Sequence, residues 1–546
     1  MAHTMNTYAP RVLIISHDVV GERMAGPGIR YWEMASVLAT QQSVTLVAPQ
    51  PIDRAVPDFA CGSYTWGDTS SLAPWLATAD VVVANGFVLV AHPDLASIAQ
   101  PLVLDLYDPT LLENLELFRS APEAQRRDQN RQDVELLNRQ LAAGDFFLCA
   151  TERQRDLYLG ALMAAGRITP EATERDPQLR SLIDVAPFGL PTEPPTKRQP
   201  VLRNVVPGIG ADDVLLLWTG GLWDWLDPLS LVQALPGVAA QHPNVRLVFL
   251  AGQHPGNVAP MRMPQATKRL AAELDLLDRH VFFYDTWVPY DQRADFLLEA
   301  DIAVSLHRNH LETQYAAVRS RFLDHLWAGL PSIVSDGDAA ADLVQTHGLG
   351  SVVATQDIAN TATTLARMIA DEAARRACAE QARILAATFT WERTLAPLRI
   401  FCMRPSRMSK PTQSAAPQAA PSHSESVSHT PIAQLDQLWH VQPHELTSEL
   451  PLVGQAKQAA NTLTRWYLQP ILEQQNAFNA AVVHALQYLA ETTDRSRDEL
   501  VAHLEQLMHT NASLQQHIAD IELHLCDIDD AQTSLAERLV VPEQPQ

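Results

Sequence analysis

Along the first four hundred residues, short apolar runs alternate with stretches whose apolar positions recur at helical spacing. RVLIISHD (11–18) reads as a buried strand and leads through a glycine-containing turn into an amphipathic helix at 24–40. SVTLVAP (43–49), DVVVANG (80–86), LVLDLYDP (102–109) and FFLCAT (146–151) follow as strands, with a long polar helix at about 122–143 and a closing strand and turn in IDVAPFGLP (183–191). The pattern then restarts. VLLLWTGG (214–221), VRLVFLAG (245–252), VFFYDTW (281–287), DIAVSLH (301–307) and PSIVSD (331–336) alternate with helices at about 226–236, 260–276, 291–300 and 313–328. A helix at about 371–389 and the segment Trp391–Phe401 close this part. The strands are continuously apolar rather than alternating, as in parallel sheets covered on both faces. The expected class is α/β, with two tandem doubly wound, Rossmann-like domains at 10–200 and 201–402. Ligands of such domains bind beyond the carboxyl ends of the strands, so the cleft between the two is where chemistry is expected.

Beyond residue 402 the pattern changes. Residues 403–431 are rich in Pro, Ser and Ala and almost lack large apolar side chains, which predicts a disordered linker. The stretch 432–496 reads as helical with a kink at Pro470, and 497–540 as a coiled coil. Its seam runs Leu500, Leu504, Leu507, Asn511, Leu514, Ile518, Ile521, Leu525, Ile528, Gln532, Leu535 and Leu539, alternating four and three. Leu500 and its heptad mates fall at d, and Asn511 and Gln532 at a. An asparagine at a selects a parallel two-stranded register, so intermolecular pairing is expected.

Composition narrows the classes. A chain of 546 residues is too long for one core. Its 40 Lys and Arg against 63 Asp and Glu leave a net charge of −23, which argues against nonspecific nucleic-acid binding. No apolar run has the length of a membrane span, and no signal-peptide pattern starts the chain. Five scattered cysteines without CxxC spacing suit a reducing cytoplasm, and neither they nor the 19 histidines form a zinc motif, so no metal is expected.

Candidate chemistry lies on the turns after the strands. In the first, Gly26 and Gly28 let a ligand approach the backbone, and the following helix, with Arg30, offers N–H groups to an anion. This acceptor or phosphate loop is neither GxGxxG nor a P-loop, and its glycines can equally serve only to shape the turn. The corresponding turn of the second domain, Thr219 to Trp225, has Gly220 and Gly221 for phosphate contact and Trp223 or Trp225 for stacking, with a core role for either tryptophan left open. Ala251–Gly256 forms a third rim loop. Asp105 and Asp108 end a first-domain strand, where carboxylates serve as loop caps or, for Asp108, as a catalytic group. The stretch from Glu312 to Asp338 reads as a helix ended by Gly329 and Pro331 and followed by a short strand. Its Arg319, Arg321 and Asp324 suit a diphosphate and a ribose diol. Residues two apart on a helix point about 200° apart, so one of the two arginines is expected to face the diphosphate. Arg321, three residues before Asp324, is favoured.

Residues 10–402 resemble a GT-B glycosyltransferase of the family 4 kind found in bacterial surface-polysaccharide pathways. AGPGIR, PFGLP, GGLWDW and ETQYAAVRSRFLDHLWAGLPSIV carry the resemblance. It implies that Asp324, five residues before Gly329, grips the ribose of a nucleotide. It also implies that Glu312 contacts the donor sugar, although Glu312 stands twelve residues before Asp324 where the family has eight. The family's basic pair after the glycine turn is absent, and Arg319 and Arg321 substitute as diphosphate clamps. The implied reaction is a retaining, metal-independent transfer from a nucleotide sugar to a glycan or lipid-linked acceptor, with no further cofactor and with Asp108 and Glu312 as the catalytic pair. The implied setting is the cytoplasm at the inner face of the membrane, with peripheral membrane contact. The coiled coil would join copies of the chain or recruit other polysaccharide enzymes. A GT-B scaffold without catalysis, and a sugar-nucleotide epimerase on the same fold, are the alternatives.

Overall fold

The computed structural model describes residues 9–54, 58–252, 254–256 and 261–408. The expected linker beyond 408, the helical region and the coiled coil lie outside the described residues. Two parallel sheets carry the fold. The first contains β1 (Arg11–Ile15), β2 (Ser43–Ala48), β3 (Ala60–Ser63), β4 (Val81–Asn85), β5 (Leu102–Asp105), β6 (Phe146–Cys149) and β7 (Ile183–Val185), in the order β3-β2-β1-β4-β5-β6-β7. The second contains β8 (Val214–Trp218), β9 (Val245–Leu250), β10 (Val281–Tyr284), β11 (Ile302–Ser305), β12 (Ser332–Ser335) and β13 (Gly350–Val353), in the order β10-β9-β8-β11-β12-β13. The order reverses beside β1 and beside β8, which puts a switch point and its crevice at the end of each.

The central strands form because their sequences leave no polar face: β4 and β6 are buried at every position. β3 (ACGS) and β13 (GSVV) were not expected. Both are edge strands with mixed exposure, and their apolar runs are too short to register as strands. The helix Pro228–Gln241 runs through Pro236, so the proline does not end it as expected.

One departure shapes the cleft. The single helix expected at 313–328 is two, Leu311–Tyr315 and Ser320–Ala328. Between them the backbone is extended, with Ala316 at ψ 152° and Arg319 at ψ 135°. First-domain groups satisfy the carbonyls left free: Gln154 Nε2 donates to Tyr315 O at 2.8 Å, and Tyr107 OH to Val318 O at 3.4 Å. The second helix ends at Gly329, whose φ of 64° is the left-handed cap expected there.

The chain returns to the first sheet at its end. Phe146 stacks on Phe401 at 4.8 Å and Phe188 packs against Trp391 at 4.6 Å, so one apolar cluster holds Trp32, Phe322, Trp391 and Cys402 together. Packing continues past the expected start of the linker. Met408 N donates to Asp145 Oδ1 at 3.1 Å. Among the described residues, no helix is long and apolar enough to cross a membrane.

Candidate functional site

A cavity of about 800 Å³ lies between the carboxyl ends of the two sheets. Two helix N-termini converge on it. The helix Gly26–Ala39 and the helix Ser320–Ala328 both begin without a side-chain cap, leaving their first N–H groups toward the cavity. They nearly touch: a Cβ on Gly26 would stand 3.8 Å from Ser320 Oγ. Two uncapped helix dipoles pointing at one spot favour an anion there.

Both arginines line this cavity, contrary to the expectation that only one would. The 200° argument fails because Arg319 precedes the helix and Arg321 lies within it. Arg319 Nη2 donates to both oxygens of Glu312, at 3.1 and 3.0 Å. Arg321 is different. It is buried and has no acidic partner among the described residues; Nη2 donates to Gly221 O at 2.9 Å, and Nη1 is buried without a partner. Burial, with the Arg319 charge second, lowers its pKa to about 9. Gly220 and Gly221 do not line the cavity. Gly220 turns the chain at φ 74°, and a Cβ there would meet the Arg321 guanidinium at 3.4 Å. These glycines therefore hold the arginine rather than a phosphate.

Carboxylates form the opposite wall. Glu312 is buried between Arg319 and His310, whose Nδ1 lies 3.6 Å away. Asp108 lines the cavity, and burial, with Asp105 second, raises its pKa to about 7. Glu113 stands beside it on the helix Thr110–Leu117, its pKa raised well above the usual range by burial and then by Asp108. Glu113 was not foreseen. The one signal for it was its position shortly after a strand-end aspartate.

Three expectations are corrected. Arg30 edges the cavity but is already committed: Nε and Nη2 donate to Asp105 at 2.7 and 3.0 Å, and Nη2 and Nη1 donate to Ala186 O and Pro187 O at 2.9 and 3.2 Å. With Tyr31 OH also donating to Asp105 at 3.0 Å, this buried network fixes the first helix rather than a phosphate. Gly28 does not line the cavity; a Cβ there would meet Val19 O at 2.1 Å, so the glycine serves packing. Asp324 does not line the cavity either. Arg293 Nε donates to its Oδ1 at 3.0 Å, and the Arg293 guanidinium lies over the Tyr290 and Trp327 rings at 3.8 and 4.3 Å. Three residues turn a helix by about 300°, and the remaining 60° separates Asp324 from the face of Arg321.

The aromatic expectation stands for Trp223. It lines the cavity and stacks on Trp225 at 5.4 Å with planes 12° apart. Across the cleft Trp66 stacks on Phe87 at 6.0 Å. Such flat apolar faces suit sugar rings or bases. Among the described residues no group of three or more His, Cys, Asp or Glu could hold a metal ion.

No family model and no curated protein sequence matches the chain. Solved structures do. Sucrose-phosphate synthase from Thermosynechococcus elongatus aligns at 16% identity and a TM-score of 0.50, over 72% of this chain and 97% of that one. WaaG, a glycosyltransferase involved in lipopolysaccharide biosynthesis, aligns at 17% and 0.50, over 72% and 100%. Anabaena HepE in complex with UDP-glucose aligns at 16% and 0.51, over 70% and 97%. At these identities the likeness is one of fold. The chain has the two-domain GT-B architecture.

Proposed function

We propose that the protein is a glycosyltransferase that moves a sugar from a nucleotide-sugar donor to a hydroxyl of a glycan or lipid-linked acceptor, with retention, in bacterial surface-polysaccharide synthesis. One observation carries this reading. Arg321 is a buried cation with no anion of its own, at the head of an uncapped helix that meets a second uncapped helix across the cleft. A diphosphate supplies the missing charge and accepts from both helix ends. As the glycosidic bond to the diphosphate breaks, the growing charge on the leaving oxygen is stabilised by Arg321 and the two dipoles, which is how this reading does without a metal. The acceptor oxygen forms the new bond and gives its proton to Asp108, whose pKa of about 7 suits a general base. Glu312, oriented by Arg319, meets the hydroxyls of the transferred sugar. Similarity to a protein solved with UDP-glucose makes UDP sugars the first donors to try. Retention follows from the resemblance to family 4 and is read from the anomeric configuration of the product.

The experiment is a thermal-shift screen across UDP, GDP, dTDP and CMP compounds, followed by donor-dependent release of free nucleotide. A nucleotide at a hundred times its dissociation constant adds about 2.7 kcal/mol. No shift from any of them removes the diphosphate site. The Asp324–Arg293 pair favours a second reading, because it ties up the carboxylate that the family uses on the ribose. On that reading the GT-B body binds nucleotide without transferring and acts as a scaffold. A nucleotide shift with no release under any donor supports it.

A further inference from the structure

Behind Asp108 a second cavity, of about 140 Å³, opens into the first domain. It shares Asn85, Phe87, Asp108, Pro109 and Thr110 with the cleft, so the two meet at the proposed base. Its remaining wall is mostly apolar, with Leu106, Leu112, Leu136, Leu137 and Ala161 brought by β5's extension and three helices. The polar groups around it are occupied: Asp133 accepts from Asn114 and Gln129 at 2.9 and 3.0 Å, and Tyr158 OH donates to Leu106 O at 3.2 Å. None of the buried side-chain atoms left without a partner belongs to this wall, whereas the cleft holds three, on His17, Arg319 and Arg321. The helix that roofs it, Thr110–Leu117, has no fully buried residue, so its leucines lie over space instead of packing into a core. An apolar chamber of about 150 Å³ stays dry and takes a benzene ring.

We infer that this chamber is an acceptor subsite for a compact, ring-sized apolar aglycone attached next to the hydroxyl that meets Asp108. The inference rests on the transferase reading for its orientation. It makes the acceptor an amphiphile, with its sugar against the aromatic faces of the cleft and its aglycone behind Asp108.

The test uses the full chain, titrated with paired p-nitrophenyl and methyl β-glycosides of glucose, galactose and mannose, with UDP thermal shift measured alongside. The aryl member of at least one pair binds about tenfold tighter or more. Ala161→Phe and Leu137→Phe, which fill the chamber from two different helices, each abolish that preference and leave the UDP shift unchanged. No aryl preference in any pair, or a preference that survives both fillings, overturns the subsite while a UDP shift keeps the transferase reading. An aryl preference lost on filling, with no shift from any nucleotide, supports the subsite and sinks the transferase reading instead.

Discussion

Arg321 and Asp108 are each held in a state that water would not favour, and both states are measurable. A buried guanidinium without a counter-ion costs stability in the free protein, and an apolar replacement of similar length relieves that cost. Arg321→Met is therefore expected to stabilise the free protein by about 1 kcal/mol or more and to lose the thermal shift that UDP gives the parent. A free protein made less stable by this change would show that Arg321 is a structural residue. Asp108 titrates the other way. Its folded pKa of about 7 lies above the unfolded value near 3.9, so the fold disfavours its ionised form. Its contribution to stability is full below about pH 4 and is lost as pH rises toward 7, while a base role needs the ionised form. Transfer is expected to rise through pH 7 and level off, and Asp108→Asn to lower it about 10²-fold or more while flattening that profile. A variant that keeps both rate and profile removes Asp108 from proton transfer. The residue types of this site were legible in the sequence, since a strand-end aspartate and a basic helix start both announce a cleft. The partners were not. Whether Asp324 faces a ribose or Arg293 depends on where a helix begins, and no local pattern fixes that.

The segment Leu311–Arg319 shows what elements add. Its sequence reads as helix, yet first-domain donors take its carbonyls and hold it extended, so that Glu312 and Arg319 face Asp108 and Glu113 across the cleft. Gln154 is the centre of this arrangement: its Oε1 accepts from Ala150 N at 2.7 Å, and its Nε2 donates to Tyr107 O at 2.9 Å and to Tyr315 O at 2.8 Å. It is fully buried and bridges both domains. Gln154→Leu leaves two carbonyls and an N–H unpaired and is expected to cost about 2–4 kcal/mol in thermal or urea unfolding. In the variant that remains folded, KM for the acceptor should rise more than kcat falls, because the segment moves without losing a reacting group. Equal effects on both constants would mean that Gln154 only fills space. The central strands needed no such help to be read, because a run such as VVVAN has no alternative to a buried strand. The edge strands β3 and β13 were missed because half-exposed short sequences carry no such signal, and the split at Ala316–Arg319 because its cause lies some 160 residues away in sequence, at Gln154.

At the scale of the whole molecule, the two sheets are joined as much by the end of the described chain as by the middle. The helix Ala396–Met403 buries Leu398 and Cys402, and Met408 reaches Asp145 beneath the first sheet. The expected boundary at 402 therefore falls inside a packed region, and its position could not be read from composition, which changes only where Pro, Ser and Ala take over. A chain ending after Met408 is expected to fold and to show the same UDP shift as the full chain. One ending at Phe401 removes the fully buried Cys402 and the Asp145 anchor, and should unfold at lower temperature. The heptad seam from Leu500 to Leu539 sets the remaining test. If that seam pairs chains, the protein ending after Met408 runs as a smaller oligomer than the full chain in sedimentation. Asn511→Leu then raises helix stability while admitting further oligomeric states, since a polar group at a confers register at a cost in stability. The same sedimentation state with and without the tail would show that the seam packs within one chain, and the proposal of partners joined through it would fall.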